Sequence, residues 1–328
     1  MIRIEIGEND AGRRLDRFLK RYLRSAPLSL VYRIIRKDVK VNGRRAGAET
    51  PLAAGDVVEL FLSGEQLREL APPRAGMKSF RQFGIVYEDE QILAANKPYG
   101  LLTHGDGLEQ KNTLANQILA YFIENGVYNP NRDLSFSPAP ANRLDRNTTG
   151  LVVFGKTLPA LQALTAMFRA GYENPCVEKV YLSVVSGEIS APLKLRGRMD
   201  RDERTNTTVV RKTGTREGSL MATDIRPLKT GGGYTLVEAA LLTGRTHQIR
   251  AQLADAGYPV IGDRKYGDPA KNRELTKRFA LVSQLLHAYR LTFRRGIGPL
   301  EQLAGKTLEA PLPPRFSEIA SALGLKTG

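Results

Sequence analysis

Cysteine is almost missing: Cys176 stands alone among 328 residues, which excludes a disulfide framework and a thiolate metal cluster within the chain. A lone thiol of this kind reads first as a small buried hydrophobe. Histidine is nearly as scarce, at His104, His247 and His287. Three rings so far apart read as packing or hydrogen-bonding groups, and no metal site is expected. No run approaches the roughly 18 apolar residues of a membrane span. The opening residues, Met1 to Ile6, alternate like a strand and lack the apolar stretch of a signal peptide. A reducing cytoplasm is the expected setting, without membrane contact. Neither G-x-S-x-G nor H-E-x-x-H occurs, and Gly105-Asp106-Gly107 lacks the third glycine of a dinucleotide fingerprint. Any chemistry therefore falls to carboxylates, tyrosine and arginine.

Positive charge is what the chain has in excess. Lys and Arg number 49 against 34 acids, a net +15, with an isoelectric point near 9.9. Such a balance attracts polyanions and supports phosphate contacts. The excess is concentrated. Between Gly12 and Arg45 lie Arg13, Arg14, Arg17, Lys20, Arg21, Arg24, Arg33, Arg36, Lys37, Lys40, Arg44 and Arg45, against only Asp16 and Asp38. Leu15, Phe18, Leu19, Tyr22 and Leu23 keep three- and four-residue spacing, which predicts one apolar helix face. Arg13, Arg17, Lys20, Arg21 and Arg24 keep helical spacing away from it. A solvated helix face usually mixes both signs, so this patch points to nucleic-acid contact. A second short helix is predicted after Pro27 with Ser29 as its cap, then a hairpin at Asn42-Gly43, where both residues tolerate positive φ.

Residues 64–82 read as a linker, being rich in Pro and Gly at 71–76 and without a sustained period. They divide a basic block at 1–63 from a larger domain at 83–328. In that domain strands are predicted at 84–87, 92–95, 151–154, 179–185 and 234–242. Helices are predicted at 113–125, 158–170 and 246–256, the last capped by Thr246 and ended by Gly257. Strands outnumber helices without regular alternation, which indicates an α+β fold. Gly150 to Thr157 satisfies the P-loop expression G-x-x-x-x-G-K-[ST]. A phosphate cradle needs converging loop amides, however, and Leu151 to Phe154 is an apolar, β-rich run. No nucleotide is expected there.

The polar segment Asn142-Arg143-Leu144-Asp145-Arg146-Asn147-Thr148-Thr149-Gly150 places an acid between two arginines at the entry to an apolar strand. Neighbouring guanidinium groups favour an ionised carboxylate. Spacing alone suits a catalytic acid and a structural Arg–Asp brace equally. The segment resembles the H-R-L-D-[RK]-x-T-S-G motif of the RluA-type pseudouridine synthases, with Asn142 in place of His and Thr149 in place of Ser. Three more segments resemble that family in the same order. They are Tyr87 to His104 with Lys97-Pro98, Glu178 to Gly187 around Tyr181, and Leu242 to Arg250 followed by Gly262-Asp263 and Tyr266-Gly267. The basic block resembles a small RNA-binding module shared with a ribosomal small-subunit protein and many RNA-modifying enzymes.

The resemblance, spanning Gly12 to about Phe316, carries further expectations. It implies a catalytic domain with a mixed, mainly antiparallel central sheet beside a small basic α/β RNA-binding domain. It implies isomerisation of uridine to pseudouridine in structured RNA, most directly 23S-type large-subunit ribosomal RNA. Transfer RNA, or a non-catalytic role in RNA binding or ribosome assembly, are the alternatives. Uridine and pseudouridine are isomers, so no cofactor is expected, and the chain is expected to be a monomer. Asp145 becomes the catalytic carboxylate, Arg250 its paired arginine, and Tyr181 the ring that packs on the base, although a half-buried strand tyrosine fits that position too. Arg143 becomes the side chain that helps extrude the nucleotide. RNA contact falls to Arg13, Arg14, Arg17, Lys20, Arg21, Arg33, Arg36, Lys37, Arg44 and Arg45.

Overall fold

The structure, a computed structural model, describes residues 1–71, 80–202, 207–211 and 218–325. The chain opens with β1 (Ile2–Glu5), α1 (Leu15–Tyr22), α2 (Leu28–Asp38), β2 (Val39–Val41), β3 (Arg44–Arg45), β4 (Val57–Leu60) and α3 (Gly64–Leu70). Their strands form a four-stranded sheet in the order β1-β4-β2-β3. The three- and four-residue spacing works as the sequence indicates. Leu15, Phe18, Leu19 and Leu23 are buried against Val31, Ile34 and Ile35 of α2 and against Ile4, Val58 and Leu60 of the sheet. Asn42 and Gly43 both take positive φ, 52° and 75°, and turn β2 into β3. Ser29 is no cap: α2 begins behind Pro27, without a side-chain cap, because proline's fixed φ already suits a helix entry. The stretch read as a linker begins instead as a helix. Ser63 and Gln66 close a capping box on α3, and Leu67 and Leu70 pack on the N-terminal core. The rest of that stretch, 72–79, lies outside the described residues.

Beyond it follow β5 (Gly84–Glu88), β6 (Ile92–Lys97), α4 (Leu114–Glu124), β7 (Ala139–Pro140), β8 (Thr149–Gly155), α5 (Leu158–Arg169), β9 (Val177–Ser186), β10 (Leu193–Asp202), β11 (Thr207–Arg211), β12 (Ser219–Gly231) and β13 (Tyr234–Leu241). The chain ends with α6 (Gln248–Asp255), α7 (Pro269–Phe279), β14 (Leu286–Phe293), β15 (Thr307–Glu309) and α8 (Pro314–Ala322). Among the described residues the strands form an eleven-stranded sheet in the order β11-β10-β12-β13-β9-β14-β8-β6-β5, with β7 on β8 and β15 on β14. Its ladders are antiparallel except that of β14 with β8. The fold is α+β with a mixed, mainly antiparallel sheet.

Period-two alternation sorts the side chains onto two faces. Leu93, Ala95, Val152, Phe154, Tyr181 and Val185 share a core with α4 and α6. Ile92, Ala94, Leu151 and Val153 pack on α5, while Leu182 and Val184 pack on α7 and α8. The P-loop match dissolves in this arrangement. Gly150 to Gly155 is a buried strand in register with Lys97 to Ile92, and Lys156 pairs with Glu88 at 2.6 Å. The amides that a phosphate would need are committed to the sheet.

Candidate active site

The loop at 142–148 feeds β8, and its shape is set by side chains that stand in for backbone partners. Asn142 donates to the Leu151 carbonyl at 3.1 Å and accepts from the Val153 amide at 2.9 Å, hooking the loop's start to β8. Thr149 bonds the buried His287 at 2.7 Å. The two positions that depart from the family motif are therefore both engaged. Beneath the loop, Lys97 donates to the carbonyls of Pro98, Leu101 and Arg146 at 3.1, 2.7 and 2.8 Å. Burial pulls its pKa down to about 7, and the nearby Asp145 opposes that pull. Three acceptors match the three N–H groups of the charged amine. Thr103 both donates to and accepts from the Leu144 backbone. With Leu144 buried, Arg143 and Asp145 turn outward on either side of it.

Asp145, its side chain 28% exposed, meets Arg250 of α6 at 2.8 Å. Arg250 is gripped from behind by Asp263, at 2.6 and 2.9 Å. Asp263 is 0% exposed and also accepts from the amides of Lys265 and Tyr266. Burial alone would raise its pKa, but the guanidinium and those amides outweigh burial and hold it below the ordinary carboxylate range. Burial works against the charge of Arg250, and Asp263 and Asp145 more than reverse it, so that its pKa is raised. The arginine is thus a fixed cation with one N–H edge aimed at Asp145.

The entry to α6 carries a second polar group. His247 precedes the helix with φ 56°, displacing Thr246 from the capping role that the sequence suggests, and no side chain caps this end. Its Nε2 lies 3.7 Å from Asp145 and its Nδ1 3.0 Å from the Tyr266 hydroxyl. Burial pushes its pKa down, with Asp145 opposing. The Tyr266 ring also stacks against the Arg250 guanidinium, 5.3 Å from centre to centroid. Tyr181, on β9, is buried. Burial and then the charge of Asp145 push its phenol pKa up, so the O–H keeps its proton.

All four residues expected in the site, Asp145, Tyr181, Arg250 and Arg143, line one cleft of about 490 Å³. Arg169, Lys179, Arg245 and His247 line it too; the sequence offered no role for the first three and only packing or hydrogen bonding for His247. Asp263 and Tyr266 stood in a recognisable segment, but no spacing shows that they lie behind an arginine. The basic residues of the N-terminal block are set apart from the cleft. Arg17, Lys20, Arg21, Arg33, Arg36, Lys37, Arg44 and Arg45 are exposed, and Arg21 reaches the Ser135 carbonyl at 3.3 Å. Arg13 is half-buried, and Arg14 is tied to Asp16 at 2.8 Å and Glu49 at 2.9 Å. Among the described residues, no cluster of three or more His, Cys, Asp and Glu is placed to hold a metal ion, and no helix is long and apolar enough to cross a membrane.

Fold and cleft combine an α+β sheet with a part-exposed carboxylate, Asp145, held against an immobilised cation, Arg250. Residues 91–255 match the RNA pseudouridylate synthase family. The chain is 34% identical over 308 residues to the ribosomal large subunit pseudouridine synthase C of Vibrio cholerae, covering 88% of each. It is 32% identical over 321 residues to the protein of that name from Escherichia coli strain K12, covering 94% of this chain and 92% of the relative. Human RNA pseudouridylate synthase domain containing 4 shares the fold, with a TM-score of 0.57 at 21% identity over 74% of this chain and 94% of that one. The chain belongs to the RNA pseudouridylate synthase family.

Proposed function

We propose that this protein converts uridine to pseudouridine in ribosomal RNA of the large subunit, with Asp145 as the catalytic carboxylate. The observation that carries the assignment is the Asp145–Arg250 pair at 2.8 Å, facing a cleft that also holds a neutral phenol. In the isomerisation the C1′–N1 bond breaks, a C1′–C5 bond forms, the C5 proton is lost and N1 gains one. No oxidant or reductant enters. Breaking the glycosidic bond builds positive charge on the sugar, and the Asp145 carboxylate, oriented by Arg250, meets that charge. Tyr181 offers a flat face on which uracil turns while detached, and its retained O–H is available beside C5.

Reaching the cleft requires the nucleotide to leave its stack, which costs roughly a few kcal/mol. Arg143, exposed beside Asp145, fills the vacated place. Arg169, Lys179 and Arg245 supply positive charge for the flanking phosphates, and residues 1–63 act as an RNA-binding module that offsets part of the extrusion cost. The test is an Asp145→Asn protein incubated with protein-free large-subunit RNA. It is expected to bind the RNA and form no pseudouridine. Equal pseudouridine from wild type and variant would remove the assignment, and modification of transfer RNA alone would redirect the substrate.

A further inference from the structure

Asp10 lies between the two sheets rather than in either. It is 1% exposed. Its carboxylate accepts from the amides of Leu134 at 2.9 Å and Ser135 at 2.8 Å, and from the Ser135 hydroxyl. These partners belong to the loop between α4 and β7, more than a hundred residues away. Beside it, Asn9 donates to Asp133 at 2.9 Å and accepts from the Leu158 amide at 3.1 Å. Leu158 opens α5 immediately after β8, the strand that the Asp145 loop feeds. Arg21 of α1 reaches the Ser135 carbonyl, and Leu134 packs against the N-terminal core. A buried carboxylate is tolerated only where donors surround it. Here the hydrogen-bond donors come from the catalytic body, while Arg13 of the N-terminal block adds charge attraction, so undocking would strip the carboxylate of all three of those hydrogen bonds.

We propose that Asp10 is a positioning residue for substrate selection: it clamps the basic N-terminal unit to the catalytic body, so that RNA must reach Arg17, Arg33 and Arg36 and the Asp145 cleft at one fixed separation. The proposal rests on the functional reading above. A basic unit on a loose tether raises the local concentration of any RNA near the cleft, whatever its shape. A clamped unit favours RNA whose folded form spans both surfaces and discriminates against the rest. Asp10 touches no reacting atom and acts through the placement of the basic helices.

The test uses the full chain with Asp10→Ala and Asp10→Asn. Two RNAs are compared: a protein-free bacterial large-subunit transcript, and a stem–loop cut from it that carries the modified uridine and fills only the cleft. The Ala variant is expected to lose about tenfold or more in kcat/KM on the transcript while its value on the stem–loop changes far less. Its small-angle scattering should show a longer maximum dimension. Asp10→Asn, which keeps one acceptor oxygen, should recover part of the difference, and it carries the test if the Ala protein fails to fold. A merely destabilised fold lowers both RNAs alike, so an unchanged ratio between them overturns the proposal, as does unchanged scattering. Wild-type protein that modifies neither RNA overturns the functional reading and the selection role with it, and scattering then still decides whether Asp10 holds the units together.

Discussion

His287 couples the start of β8 to the C-terminal segment, and its protonation state follows from its partners. It is 0% exposed and its Nε2 lies 3.2 Å from the Ala310 carbonyl. A carbonyl only accepts, so Nε2 carries the hydrogen and the neutral ring takes the Thr149 hydroxyl proton at Nδ1. Burial pushes its pKa from 6.5 down to about 4, with the Ala310 carbonyl opposing. Between those values the unfolded chain binds a proton that the native one refuses, so stability rises with pH across that window. The contribution is fully present above about 6.5 and falls away toward 4, a loss of about 3 kcal/mol. Urea unfolding of wild type and His287→Gln at pH 7 and pH 4.5 checks this: the wild type should lose more stability on acidification than the variant, by about 2 kcal/mol over that interval. Parallel curves would show that another group governs the acid limb. The same loop rests on Lys97 and on the Arg250–Asp263 pair. The site is therefore shaped by charges beneath it as much as by those that face the cleft.

At the scale of elements, β8 is the strand on which the loop depends, and its first glycine is fixed by a neighbour. Gly150 has φ 108°, and a Cβ there would run into the backbone of Ala288 on β14, across the sheet's parallel ladder. Gly150→Ala combines overpacking with a disfavoured backbone, each worth about 1–3 kcal/mol. Its melting temperature should fall by several degrees, and an unchanged value would mean that the two strands separate freely. What the sequence made legible here follows from burial. α1, α4 and α5 bury regular apolar stripes, and their periodicity announces them. α7 buries only Leu275, so no period marks it, although Asp268 ahead of Pro269 caps it through the Ala270 and Lys271 amides. The Ser63–Gln66 box likewise marked α3 within a polar stretch. Cap chemistry was the available signal in both, and neither helix was predicted from it. It misled at Thr246, where His247 takes the left-handed conformation instead. Asp145, Tyr181 and Arg250 were legible as motif positions. Asp263 and Lys97 stood in the same motifs, but their roles were not legible, because their work is done by burial behind the residues that face the cleft.

Over the whole molecule, the question is which positive charges remain available to RNA. Of the ten basic residues first assigned to it, Arg14 is held by Asp16 and Glu49 and Arg13 is half-buried, its pKa lowered by burial and by Arg21. The other eight are exposed on α1, α2 and the β2–β3 hairpin. Each phosphate neutralised by such a side chain releases counterions, so affinity falls steeply with salt. With six or more phosphates contacted, binding should weaken ~10³-fold or more between ~50 and ~200 mM salt. The geometry sharpens that expectation residue by residue. Removing Arg33, Arg36 and Lys37 together should flatten the slope of log affinity against log salt by roughly 2–3. Removing Arg14 should leave the slope in place and instead destabilise the N-terminal unit, because the buried Asp16 loses the cation it pairs with and keeps only the Arg17 amide and the Tyr32 hydroxyl. Filter-binding titrations across a salt series, paired with thermal melts of the same proteins, separate the two kinds of arginine. An Arg14→Ala protein that lost slope while keeping its melting temperature would show that its ion pairs open to admit a phosphate.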